Sequence, residues 1–114
     1  MIQILRTPVT RNEIQRMAEL SFGDFVKAVV DTHRNVMAIG GELHADEEAM
    51  LLEDGSGQKD VWGINLYPSM QGDGMIEFDS MINIRPAQGN RSRGIEAETL
   101  RKSIVAVVHA LITD

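Results

Sequence analysis

DVWGINLYP (Asp60–Pro68) is followed, after the turn-rich SMQGD, by GMIEFDSMINIRP (Gly74–Pro86). In the first run Trp62, Ile64 and Leu66 fall on one side, and Asn65 and Tyr67 on the other. That period of two is the signature of a half-buried strand. In the second run Ile76, Phe78, Ser80, Ile82 and Ile84 share a side, opposite Glu77, Asp79, Met81, Asn83 and Arg85. The two runs predict an antiparallel strand pair with a mobile, glycine-rich connection. Upstream, FVKAVVD and VMAIGG are β-branched apolar runs separated by THRN, which predicts a hairpin with a four-residue turn. Gly40-Gly41 closes it, where the backbone turns sharply or lies close to another group.

Helices frame these strands. After the short strand IQIL and Thr7-Pro8, Thr10 stands as N-cap with Glu13 three residues on, a capping box, and Val9 and Ile14 stand at the staple positions. Gly23 supplies the stop. ELHADEEAMLLEDG predicts a second helix, capped by Asp46 and closed by Gly55. In IEAETLRKSIVAVVHALI, Leu100, Ile104, Val107, Val108 and Leu111 keep the 3.6-residue period of a third. The order β-α-β-β-α-β-β-α predicts one α+β domain over residues 1–114: a two-layer arrangement of a mainly antiparallel sheet of four to five strands with three helices packed on one face.

Composition narrows the function. The 114 residues carry a net charge of −6, all of it between Glu42 and Asp60, where seven acids face only Lys59. A solvated helix face is the plain reading of that block. An acidic chain is poorly suited to long nucleic acid, whose phosphates call for Lys and Arg. No apolar run is long enough to span a membrane. The start MIQILRTPVTRNE lacks the basic and apolar regions of a secretory leader. With no cysteine, disulfides and thiolate chemistry are excluded, and the expectation is a cytoplasmic protein.

MAIGGELHADEEAMLLEDGS, DVWGINLYP and IEFDSMINIRPAQGNRSRGIE together resemble a family of small prokaryotic proteins, domain-of-unknown-function family 5674. The resemblance covers most of the chain and implies that these blocks share one fold. It brings no activity, substrate or catalytic residue.

The residues themselves point to three places. INIRPAQGNRSRG gathers Arg85, Gln88, Asn90, Arg91 and Arg93, with Gly89 and Gly94 able to expose successive N–H groups at a helix start. Such groups suit a phosphate or carboxylate. Two plainer readings stand beside this one. Glu96 and Glu98 already occupy the helix start, or the arginines pair with the acidic block. Arg101, in the apolar sector of the last helix, must snorkel or find a partner. Second, GGELHADEE offers His44 among acids for acid–base chemistry or a metal, although no zinc spacing is present; capping and solvation compete with that reading. Third, Asn65, Tyr67, Glu77, Asp79, Asn83 and Arg85 form a polar sheet face, which either is a plain wet face or floors a pocket rimmed by Gln88–Arg93. His44 and Asp79 are the acid–base candidates. No GxSxG elbow exists, and Met70 and Met75 could make a sticky surface. No cofactor is specified by the sequence, and whether the protein is an enzyme stays open. The two functional expectations are a small-anion site around Arg85–Arg93 and an interaction module or homo-oligomer.

Overall fold

The computed structural model describes residues 1–114. Its elements are β1 (Gln3–Leu5), β2 (Val9–Thr10), α1 (Arg11–Glu19), β3 (Val26–Asp31), β4 (Val36–Ile39), α2 (His44–Glu53), β5 (Val61–Leu66), β6 (Ile76–Glu77), α3 (Glu98–Leu111) and β7 (Ile112–Thr113). Short 3-10 turns stand at Gln58–Asp60, Gly72–Met75, Met81–Asn83 and Pro86–Gln88. The capping box forms as the sequence predicts: Glu13 N–H donates to Thr10 Oγ1 at 3.2 Å and Thr10 N–H to Glu13 Oε2 at 2.9 Å. The THRN hairpin forms too. Asp31 Oδ1 accepts from the N–H groups of His33 and Arg34, and Asn35 turns the corner at φ 58°.

A five-stranded sheet runs in the order β1-β4-β3-β5-β6, every neighbour antiparallel, and with three helices this is an α+β fold. A separate parallel pair, β2 with β7, ties Val9 to Ile112; their two-residue length left no pattern in the sequence. No helix is long and apolar enough to cross a membrane.

The helices do not all share one face. Val26, Ala28 and Val30, Met37 and Ile39, and Trp62, Ile64 and Leu66 pack against Ile14 and Ala18 of α1 and Ile104, Val107 and Val108 of α3. On the other face Val29, Val36, Ala38 and Val61 pack against Leu51 of α2. The expected two-layer packing is corrected to a sheet held between α1/α3 and α2. The physical reason is that β3 and β4 are apolar on both sides, as strands covered twice must be. Full burial of a side chain such as Leu51 contributes about 1.5–3 kcal/mol. Helix α2 also begins three residues earlier than an Asp46 cap would have it, and Leu43 at its N-cap makes no side-chain bond. His44, Glu47 and Leu51 are the residues it turns toward the protein.

The second half of the predicted strand pair is corrected. β6 pairs only over Ile76–Glu77, after which the chain leaves the sheet. Ser80 N–H donates to the Arg93 carbonyl at 3.0 Å, and Ser80 Oγ accepts from Ile82 N–H to start a 3-10 turn. Asn83 then takes the place of a paired strand: its Nδ2 donates to Gly63 O and its Oδ1 accepts from Gly63 N–H, both at 2.9 Å.

Candidate functional site

Because α2 covers only part of the second sheet face, the end carrying Lys27, Asn65 and Glu77 stays open. Register puts these three in one row, Lys27 opposite Asn65 and Asn65 opposite Glu77. Beyond the row, Phe25 stacks on Tyr67 at 5.3 Å and on Phe22 at 4.8 Å. The start of α2 forms one wall with Leu43 and His44, the departing chain forms another with Asp79–Ile82, and Arg93 stands at the rim. The open cleft measures about 520 Å³, within the usual span of small-molecule sites.

His44 lies against the sheet because Gly63 has no side chain: a Cβ there would come within 2.6 Å of Ser80 Cβ and 3.2 Å of His44 Cδ2. The imidazole Nε2 lies 2.8 Å from the Ile64 carbonyl, which can only accept, so Nε2 carries the proton. Burial lowers the His44 pKa from its ordinary 6.5, Lys27 pushes the same way, and the Ile64 carbonyl, Asp79 and the Asn65 side chain oppose. The ring is therefore neutral at pH 7, with Nδ1 left as an acceptor. Asn65 donates through Nδ2 to Glu77 Oε1 at 2.9 Å, while its buried Oδ1 has no donor. Tyr67 Oη donates to the same Glu77 oxygen at 3.3 Å. Burial, then the Glu77 charge, raises the Tyr67 pKa.

Two cations and two carboxylates share the cleft. Arg93 Nε donates to Asp79 Oδ1 at 2.6 Å, and both groups are about half exposed. Ion pairs of that exposure contribute about 0–1 kcal/mol and open readily. Lys27 and Glu77 have no ion-pair partner; the Lys27 ammonium lies 5.4 Å above the Phe22 ring.

The arginine-rich loop is mostly spent on the fold. Arg85 lies along the edge of β5, donating to the carbonyls of Ile82, Gln58 and Val61, pairing with Glu48 at 3.3 Å and stacking on Trp62 at 4.3 Å. Burial lowers its pKa and raises that of Glu48, and each opposes the shift of the other. Gln88 donates to the Lys59 carbonyl. Asn90 is buried, with Nδ2 on the carbonyls of Asn83, Ser92 and Gly94 and Oδ1 accepting from Glu96 N–H. The N–H groups of Arg91 and Ser92 do form an anion nest, and Glu96 Oε2 fills it at 2.7 and 3.0 Å. The guanidinium of Arg91 is exposed and makes no bond. Arg101 donates to the Ile95 and Glu96 carbonyls. The three arginines of the loop thus do not converge; Arg93 alone joins the cleft, where it pairs with Asp79 and shares the lining with His44.

The acidic block is only partly a solvated face. Asp54 holds Arg6 and Arg34, Glu48 holds Arg85, and Glu47 is fully buried against Gly41. No three His, Asp or Glu side chains are grouped so as to hold a metal. Sequence reasoning missed Lys27, although a single lysine in the apolar run FVKAVVD was a visible signal.

The family model described as "protein of unknown function (DUF5674)" matches residues 3–111. The chain belongs to the DUF5674 family. The match in this DUF5674 chain spans every cleft residue from Phe25 to Arg93 as well as both packed faces. No curated protein and no solved structure matches it.

Proposed function

We propose that this protein binds a small anionic ligand in the cleft, with Lys27 and Arg93 holding the anion and His44 beside it as a proton acceptor. The observation that carries the reading is Lys27, a cation without a carboxylate partner on the floor of a concave site. Arg93 adds a second cation, because its half-exposed pair with Asp79 opens at little cost. The neutral His44 accepts a proton through Nδ1 from a group placed against it. The aromatic wall of Phe25 and Tyr67 suits the apolar part of such a ligand.

A melting screen with phosphate, sulfate and small carboxylates tests this. A bound anion raises the midpoint with its concentration. Lys27→Ala and Arg93→Ala are expected to remove that rise, and Arg91→Ala to leave it. A rise that survives the double variant Lys27→Ala/Arg93→Ala, or no rise with any anion, contradicts the reading.

The exposed Leu43 and Met81 at the cleft mouth favour a second reading, a homo-oligomer joined there. Light scattering on the intact chain and on Leu43→Ser/Met81→Ser decides it: a dimer lost in the variant supports it, and a monomer in both contradicts it.

A further inference from the structure

The cleft is not a cationic site. Lys27 and Arg93 are matched there by Glu77 and Asp79, while His44 is neutral at pH 7. A plain anion would gain from Lys27 and be repelled by Glu77, so the charge pattern complements a ligand with both signs. The arrangement along the floor is ordered. Lys27, Asn65 and Glu77 are successive cross-strand neighbours on one face, each step roughly 5 Å between Cβ atoms. The two unpartnered charges therefore flank Asn65 about 10 Å apart at their Cβ atoms, near enough for one small molecule to touch both.

The Glu77 end is built for a cation. Its Oε1 already accepts from Asn65 and Tyr67, which hold the carboxylate in place. Asn65 is only 7% exposed, lines the cleft, and has an Oδ1 with no donor. An ammonium brings three N–H donors, which suit the exposed Glu77 carboxylate. The face of the Tyr67 ring adds a cation–π surface. Lys27, the cation of the same row, lies over Phe22 and pairs with neither Glu77 nor Asn65.

We infer that the ligand is a zwitterion of amino-acid size, its anionic group on Lys27 and Arg93 and its cationic group on Glu77 beside Tyr67. This rests on the anion reading above and adds the second charge to it.

Titration calorimetry on the intact chain separates the two. The twenty standard amino acids are the first probes; each that binds is compared with its deaminated acid and its decarboxylated amine. The expected result is an amino acid that binds about tenfold or more tighter than either counterpart, about tenfold being the loss of one charged contact. Glu77→Gln is expected to bring the amino acid down to the affinity of its acid and leave the acid's own affinity unchanged or improved. Acids that bind as tightly as their amino acids, with no effect of Glu77→Gln, overturn the zwitterion and leave the anion reading standing. An amine that binds as tightly as its amino acid, with no effect of Lys27→Ala, overturns the anion reading and the zwitterion with it. So does the absence of binding by every amino acid and every small carboxylate. Glu77→Asp keeps the charge on a shorter stem, and partial recovery in it excludes a folding defect as the cause of the Gln effect.

Discussion

The side-chain amide of Asn83 pairs with both peptide groups of Gly63, as a neighbouring strand would. This one contact lets the chain leave the sheet after Glu77 without stranding the edge of β5. The Val61 carbonyl is taken by Arg85, the Gly63 peptide groups by Asn83, and Asn65 and Leu66 pair with β6. The release is what brings Asp79 and Ser80 over the cleft. Asn83→Ala leaves the buried N–H and C=O of Gly63 unpaired, and two such losses cost about 2–4 kcal/mol. A lower urea midpoint at unchanged slope is the expected result; a variant as stable as the parent contradicts this role.

Gly63 is the other half of the same device. A methyl group there meets Ser80 at 2.6 Å and the His44 ring at 3.2 Å. Gly63→Ala is expected to destabilise by about 1–3 kcal/mol, as overpacking does, and to move the His44 ring resonances. Ser80→Gly in the same chain should restore part of the stability, since the closest of the two contacts is removed. Without that recovery the close approach is not the cause.

Glu47 sets a pH dependence. Burial pushes its carboxyl up from the ordinary 4.5 to about 9, against the opposing Gly41 N–H bond. The folded chain therefore holds a proton there that the unfolded chain has released above 4.5. Stability falls as pH rises toward 9. His44, lowered from 6.5, works in the opposite direction and only below that value. Between pH 7 and 9 the parent is expected to lose on the order of 1–3 kcal/mol. Glu47→Gln should flatten that loss, which denaturation at the two pH values measures directly.

Glu96 acts as a built-in anion. Its carboxyl is held below the usual range by the N–H groups of Arg91 and Ser92, so its contribution is present above the ordinary 4.5 and fades as pH falls. Glu96→Ala empties the nest. Sulfate is expected to raise the melting midpoint of that variant more than that of the parent, while chloride at equal ionic strength does not. Equal responses would mean that the nest takes no anion from solution.

The parts legible in the sequence were those fixed by local pattern. Thr10 and Glu13 announce a helix by their own bonds, and Trp62, Ile64 and Leu66 announce a half-buried strand by spacing alone. The run Ile76–Ile84 obeys the same spacing, yet what it pairs with is decided by Ser80 and Asn83, whose side chains replace the ladder. Alternation carries no trace of that exchange. The loop around Arg85 misled for a related reason. Its donors are visible in the sequence, but their acceptors on Gln58, Val61 and Glu48 lie roughly thirty residues earlier in the chain. The position of α2 was readable in principle, because Val29 and Val30 face opposite ways and both are apolar.

The open end of the sheet beside Lys27, and not the loop at Gln88–Ser92, is the proposed receiver of a small anion. Amide spectra of the isotope-labelled chain, titrated with phosphate and with propanoate, test it most directly. Progressive, saturable shifts at Lys27, His44, Asn65 and Asp79 that vanish in Lys27→Ala/Arg93→Ala are the expected result. Shifts confined to Gln88–Ser92, or a cleft that stays silent at every concentration, would contradict it.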